Sequence, residues 1–250
     1  MKICLLSDLH LDFHFDGGVE FVRFLTIPED CDLTIVAGDL CQADHWRWHQ
    51  SIQEICQKSK QVLYVLGNHE YYNSSILEVD VRAHKLPNAF PNLIVASRAV
   101  ILSKKEIPAL NDLKLLAGTL WFPNAPDQHL YKQYLNDFGF IEQLEPEIYQ
   151  RNYRFTELLD KVKSEPSIVV THHLPSYQSV NPKYSDSPIN RFFVGGEFQE
   201  EVKDSQVKVW CHGHSHDAVN YKIGNTRIVS DPAGYPNEIP VFWEPLIVDI

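Results

Sequence analysis

Short apolar runs of strand length recur along the chain, and most of them end in a polar or glycine-containing loop. Lys2–Leu6 leads into Ser7-Asp8-Leu9-His10, Asp32–Val36 into Ala37-Gly38-Asp39, and Gln61–Leu66 into Gly67-Asn68-His69-Glu70. Further on, Ser167–Val170 leads into Thr171-His172-His173, and Val207–Cys211 into His212-Gly213-His214-Ser215-His216. Continuous apolar runs rich in β-branched residues predict strands buried on both faces, as in a sheet covered by helices. Helical spacing fills the gaps. Asp44–Lys58 carries Trp48, Ile52, Ile55 and Cys56 at that spacing, and Glu147–Lys163 carries Ile148, Phe155, Leu158, Leu159 and Val162. A third helix is expected around Glu197–Val202. The alternation predicts an α/β layered fold. Near the C-terminus, Ala218–Ile223 and Arg227–Ser230 read as a hairpin about a Gly224-Asn225 turn, and Phe242–Ile250 supplies a final strand.

No repeat, low-complexity stretch or linker interrupts residues 1–250, so one domain is expected. Leu86–Glu145, rich in Pro and aromatic residues, is expected to be an insertion shaping one side of a pocket. Ser176–Phe193 reads as a long loop of the kind that usually carries function.

With 22 Lys+Arg against 33 Asp+Glu, the chain has a formal charge of −11. That balance argues against a broad nucleic-acid surface, whose affinity comes largely from Lys and Arg on phosphates. The longest basic run is Lys104-Lys105. Five widely spaced cysteines without a C-x-x-C pair fit reduced thiols better than a disulfide framework. The N-terminal apolar run Ile3–Leu6 is shorter than the ~7–15 residues of a signal-peptide core. No stretch reaches the ~20 apolar residues of a membrane-spanning helix. A cytoplasmic protein with no membrane contact and no obligatory protein partner is the expectation.

The polar clusters at the strand ends hold the chemistry. They offer carboxylates (Asp8, Asp39), an amide oxygen (Asn68) and imidazoles (His10, His172, His214, His216). Such oxygen and imidazole donors suit Mn, Fe, Zn or a similar divalent ion, with Mg possible, rather than a Cys-rich structural zinc. Seven ligands exceed one tetrahedral ion and suit two ions about 3.5–4 Å apart. Single fragments such as D-x-H or G-D recur by chance. All five clusters in this order, each after a strand, form a strong pattern.

On these residues the sequence resembles the calcineurin-like metallophosphoesterases, whose pattern is D-x-H, G-D, G-N-H-[DE], a strand-end His and G-H-x-H. The match runs from Asp8 to His216, and the chain resembles the small, single-domain, bacterial-type members. The resemblance implies a four-layer α/β/β/α sandwich of two mixed sheets flanked by helices, with a dinuclear metal centre. It implies Asp8, His10 and His216 on one ion, Asn68, His172 and His214 on the other, and Asp39 bridging both. Two divalent ions, two carboxylates and a bridging hydroxide sum to about +1, enough to attract a phosphate locally. His69 is expected as the catalytic residue, meeting a phosphate oxygen or the leaving group, with Glu70 holding its imidazole charged. The activity implied is hydrolysis of a phosphomonoester or phosphodiester of a small molecule by in-line attack.

Expected substrate contacts are Arg191, Asn136, Asp137, Tyr235 and His173, the last being read as either substrate-facing or packed behind the ligands. Tyr71, Tyr72, Trp121, Phe122 and Tyr177 flank motifs and read first as packing residues. His45 and His49 imitate an H-x-x-x-H zinc pair, but Trp46 stands where that motif needs Glu. His14, His84 and His129 read as surface residues, and His212 as structural. The phosphoprotein phosphatases extend their second motif to G-D-x-V-D-R-G. Here Gly38-Asp39-Leu40-Cys41-Gln42-Ala43 lacks that Arg, which counts against a protein Ser/Thr phosphatase. The acidic balance counts against a nuclease. Non-catalytic scaffolds of this fold tend to lose metal ligands, and this chain retains the set.

Overall fold

The computed structural model describes residues 1–240 and 243–250. The chain opens with β1 (Lys2–Leu6), α1 (Val19–Phe24), β2 (Leu33–Ala37), α2 (Arg47–Gln57) and β3 (Val62–Val65). A two-residue β4 (Ser74–Ser75) precedes α3 (Ile76–Lys85), and β5 (Leu93–Ala96), β6 (Val100–Leu102) and β7 (Lys114–Ala117) follow. Next come α4 (Asp137–Phe140), β8 (Ile141–Glu142), α5 (Glu147–Val162), β9 (Ser167–Val170), α6 (Gln199–Lys203) and β10 (Val207–Cys211). The hairpin β11 (Val219–Ile223) and β12 (Thr226–Ser230) precedes β13 (Leu246–Asp249). Phe242, where the sequence reading begins this last strand, lies outside the described residues.

Two sheets carry the molecule. The five-stranded sheet has the order β13-β1-β2-β3-β5, with β1, β2, β3 and β5 parallel and β13 antiparallel at one edge. The six-stranded sheet has the order β11-β12-β10-β9-β7-β6, parallel through β12, β10, β9 and β7 and antiparallel at both edges. Side chains alternate along each strand, and that alternation builds the layers. Ile3, Leu5, Ile35 and Val65 of the first sheet share a core with Leu115, Ile168, Val170 and Val209 of the second. Cys4, Leu6 and Tyr64 join the opposite cluster with Trp48, Ile52 and Ile55 of α2 and Val79 and Ala83 of α3. Leu116, Val169, Trp210 and Ile228 pack with Phe155, Leu159 and Val162 of α5 and Val202 of α6. The order of layers is therefore α/β/β/α. Both faces of the central strands are buried, which is why the sequence shows unbroken apolar runs rather than alternation. No helix among the described residues is long and apolar enough to cross a membrane.

One expectation changes. Leu86–Glu145 is not an insertion throughout, because its first half supplies β5 to one sheet and β6 and β7 to the other. β5 and β6 are short edge strands with half-buried positions, so their hydrophobic pattern is weak. Only the later part leaves the sheets to form pocket wall. Helix α3 is not among the helices expected from apolar spacing, although Ser75 and Glu78 form an S-x-x-E signal. The Ser75 side chain accepts from the Glu78 backbone N–H at 3.2 Å.

The two outer helical layers meet at an ion pair. Arg151 of α5 donates through Nη2 to Asp80 of α3 at 2.6 Å and through Nη1 to the Ser97 carbonyl at 2.9 Å. Both side chains are largely buried, so removing the carboxylate leaves Nη1 and Nη2 without their charged partner, and Glu147, 3.0 Å from Nε, as the carboxylate still facing the guanidinium. Asp80→Ala is expected to cost about 3–5 kcal/mol of stability, read as a lower urea midpoint with an unchanged slope. A cost below about 1 kcal/mol would mean that solvent screens the pair.

Candidate metal centre

The carboxyl ends of β1, β2, β3, β9 and β10 carry Asp8 and His10, Asp39, Asn68 and His69, His172, and His214 and His216 respectively. Parallel strands bring these ends to one edge, where α/β sheets bind ligands. The loops hold an unusual backbone. Asp8 (φ 54°), His10 (42°), Asp39 (54°), His214 (73°) and His216 (53°) all lie in the left-handed region. A non-glycine residue held there costs about 1–3 kcal/mol and persists only where its surroundings enforce it. Backbone bonds between loops do so: Asp8 N–H to Gly38 O at 3.0 Å, His10 N–H to Asp39 O at 3.0 Å, and Gly213 N–H to His172 O at 3.1 Å. The motif glycines allow this closeness. A Cβ on Gly38 would fall 2.2 Å from His172 Nδ1, and one on Gly67 would fall 2.1 Å from Asp39 Oδ1.

Asp39 lies at the middle. Its Oδ1 accepts the His69 N–H at 2.9 Å. Its Oδ2 faces His172 Nε2 at 3.3 Å, His10 Nε2 at 3.8 Å and His69 Nε2 at 4.0 Å. On one side, His10 Nε2 and His216 Nε2 approach to 2.9 Å, with Asp8 Oδ1 3.7 Å from His216 Nε2. On the other, Asn68 Oδ1 lies 3.0 Å from His172 Nε2. Ligand atoms of Asp8, His10 and His216 lie within 4.8 Å of one another, and so do those of Asp39, His172 and His214. A third such group joins His10, Asp39 and His69.

Outer contacts decide which atoms face inward. His172 Nδ1 donates to the Ala37 carbonyl at 2.8 Å and His216 Nδ1 to the Glu238 carboxylate at 2.8 Å. Each proton is thereby spent outward, and each Nε2 lone pair points into the cluster. Asp137 accepts from Asn68 Nδ2 and the Tyr72 hydroxyl, both at 2.8 Å, which turns Asn68 Oδ1 toward His172. His214 Nε2 is buried without a hydrogen-bond partner among the described residues. Converging lone pairs with no donor between them fit a divalent cation.

The electrostatics point the same way. Burial alone would raise the Asp39 carboxyl, but His172, His69 and His10 prevail and hold it well below the usual carboxylate range. Burial likewise opposes charge on His172, yet Asp39 and Asp8 push its imidazole up to about 10. The dry carboxylates demand a compensating positive charge, and a metal ion answers the same demand as a proton. Burial keeps His10 and His214 well below the ordinary histidine value, in the neutral form that ligates.

Three sequence expectations are corrected by these contacts. Glu70 does not hold the His69 ring. It is fully buried, and its carboxylate accepts from Asp39 N, Leu40 N, Gly67 N and the Tyr64 hydroxyl at 3.1, 2.7, 2.7 and 2.6 Å. It is a brace between two loops, with burial and the nearby Asp39 pushing its carboxyl up to about 8. Arg191 is turned away: it pairs with Asp127 and lies 4.6 Å over the Tyr131 ring. His173 is buried between Trp121 and His214, at 5.2 and 4.3 Å between ring centroids, and its Nδ1 bonds the Thr119 carbonyl. It packs behind His214 instead of facing substrate.

A cavity of about 580 Å³ opens over the cluster. Asp39, Asn68, His69, His214 and His216 form its floor, and Asn136, Asp137 and Tyr235 stand on its walls. His69 stacks on Tyr72 at 4.2 Å between centroids, and its Nε2 lies 3.5 Å from the Tyr235 hydroxyl. Sequence reasoning missed Glu238, Lys183 and Tyr184, which also line the cavity. Glu238 belongs to no motif. The other two sit in the loop whose length alone had marked it as functional.

The profile of the calcineurin-like phosphoesterases matches residues 1–218, which include every motif but neither Tyr235 nor Glu238. An uncharacterized protein of Acanthamoeba polyphaga mimivirus is 25% identical over 276 residues, covering 98% of this chain and 95% of that protein. Among solved structures, the phosphopantetheinyl hydrolase of Mycobacterium tuberculosis aligns with a TM-score of 0.73 at 15% identity, covering 98% of this chain and 95% of its own. A dimetal phosphatase of Danio rerio aligns with a TM-score of 0.54 at 13% identity, covering 98% and 90%. At such identities the structures share the fold. With the family profile spanning the five strand-end motifs and those motifs gathered into one His/Asp cluster, this chain belongs to the calcineurin-like phosphoesterase family and is a metal-dependent phosphoester hydrolase.

Proposed function

We propose that the chain holds two divalent ions and hydrolyses the phosphoester of a small molecule. Asp8, His10 and His216 would hold one ion, Asn68, His172 and His214 the other, with Asp39 shared. The observation that carries this reading is the position of Asp39 Oδ2, 3.3 Å from His172 and 3.8 Å from His10, where the two donor groups join. Mixed oxygen and imidazole donors suit Mn, Fe or Zn, and accommodate Mg less well. Divalent ions bound there supply Lewis acidity and a nucleophile at neutral pH.

The chain's own residues do the rest. His69 faces the cavity between Tyr72 and Tyr235, placed to donate to a phosphoryl oxygen or to a departing alkoxide. Lys183 brings an ammonium to the same cavity, and Asn136 and Tyr235 offer neutral donors to the substrate. The overall charge of −11 favours a small phosphorylated compound over a polynucleotide.

Asp39→Asn is expected to lose both metal content and turnover, tested by elemental analysis beside assays with 4-nitrophenyl phosphate and its bis-ester. Near-normal turnover would refute the shared-ligand assignment. His69→Ala should keep its metal while kcat falls by about 10²–10⁴; loss of metal would make His69 a ligand instead. Glu238→Gln should weaken metal affinity by about 10–100-fold, since it removes the carboxylate that orients His216. Metal titration of the chelator-stripped protein measures that shift, and an unchanged affinity would remove Glu238 from the site.

A further inference from the structure

Beside the metal-centre cavity lies a second hollow of about 340 Å³, a volume ordinary for a small-molecule site. The two share Tyr184, Ile189, Phe193, Ser215 and Asp217, so one runs into the other along a common wall. The long loop from Ser176 to Phe193 builds most of the hollow, and its polar groups are largely spent on holding it in place. Asn181 Nδ2 donates to Asp217 at 2.8 Å, and Asn190 Nδ2 donates to the Tyr184 carbonyl at 2.6 Å. What remains facing inward is chiefly carbon surface, from Val180, Ile189 and Phe193. One departure from that surface is informative. Asp217 supplies the only carboxylate of the wall, and no Lys or Arg lines it among the described residues.

We propose that this hollow is a specificity subsite for the organic part of the phosphoester, and that the group it takes is uncharged and chiefly apolar. The inference rests on the phosphoesterase reading of the adjoining centre. Apolar walls reward each methylene removed from water. A second phosphate or carboxylate in the hollow would meet Asp217 on its wall, whereas Lys183 belongs to the adjoining cavity and is not among the residues lining the hollow. The wall therefore selects against polyphosphorylated and polynucleotide substrates, whose next charge would fall there.

Calorimetric titration of the metal-loaded protein with methyl-, butyl- and hexylphosphonate tests the subsite, because these ligands need no turnover. Kd is expected to fall about fourfold per added methylene that is fully buried, and to rise again by at least tenfold when the hexyl chain ends in a carboxylate. Val180→Asp should flatten the chain-length series. A flat series with the unmodified protein, at measurable methylphosphonate affinity, would overturn the subsite while leaving the metal centre in place. Failure of every phosphonate to bind would overturn both. Turnover of 4-nitrophenyl phosphate, followed in the same preparation, reports on hydrolysis separately.

Discussion

Asp39 is a carboxylate only 1% exposed to solvent, in a setting where an isolated charge of that kind is prohibitively costly. Its neighbours make it tolerable. One oxygen takes a backbone N–H from the His69 loop, and the other looks onto imidazoles supplied by three different strand ends. The same lack of water that penalises the charge also strengthens every interaction made with it. A site of this kind is unfavourable while its negative charge is uncompensated and favourable once positive charge enters. Metal affinity and active-site architecture are thus one property.

The fold exists, at this edge, to hold that property in place. Four layers bury the central strands on both faces, and the parallel arrangement delivers five strand ends to one rim. Left-handed residues at Asp8, His10, Asp39, His214 and His216 aim the donors, at an energetic cost that the surrounding loop-to-loop hydrogen bonds offset. Glu70 contributes by fastening the Asp39 loop to the Gly67 loop through three backbone N–H groups. Its place is structural, although it follows His69, which lines the cavity.

Beyond the shared motifs, the chain adds its own fittings. Tyr235 and Glu238 follow the stretch matched by the family profile, yet one reaches the His69 ring and the other fixes the tautomer of His216. The loop from Ser176 to Phe193 adds Lys183 and Tyr184 to the cavity wall. The motif residues are therefore carried by strand ends, and the remaining cavity residues by segments with no motif. A rigid sheet edge cannot vary without losing the donors, whereas a surface loop can.

The order of residues alone determined an α/β layering and the polar clusters at five strand ends, while the four-layer plan and the division of donors between ions came only from the family resemblance. Apolar runs of strand length need cover on two faces, and a polar cluster after each run must emerge at a sheet edge. Both follow from local periodicity. The weak edge strands β5 and β6 escaped that reading, because half-exposed strands carry little pattern. Only the tertiary structure decided which neighbours the donors meet. Glu70 follows His69 in sequence but turns inward to backbone N–H groups, Arg191 is captured by Asp127, and His173 is packed behind His214. Orientation of a side chain depends on contacts between residues far apart along the chain, as Glu238 with His216 shows, and one-dimensional spacing holds no record of them.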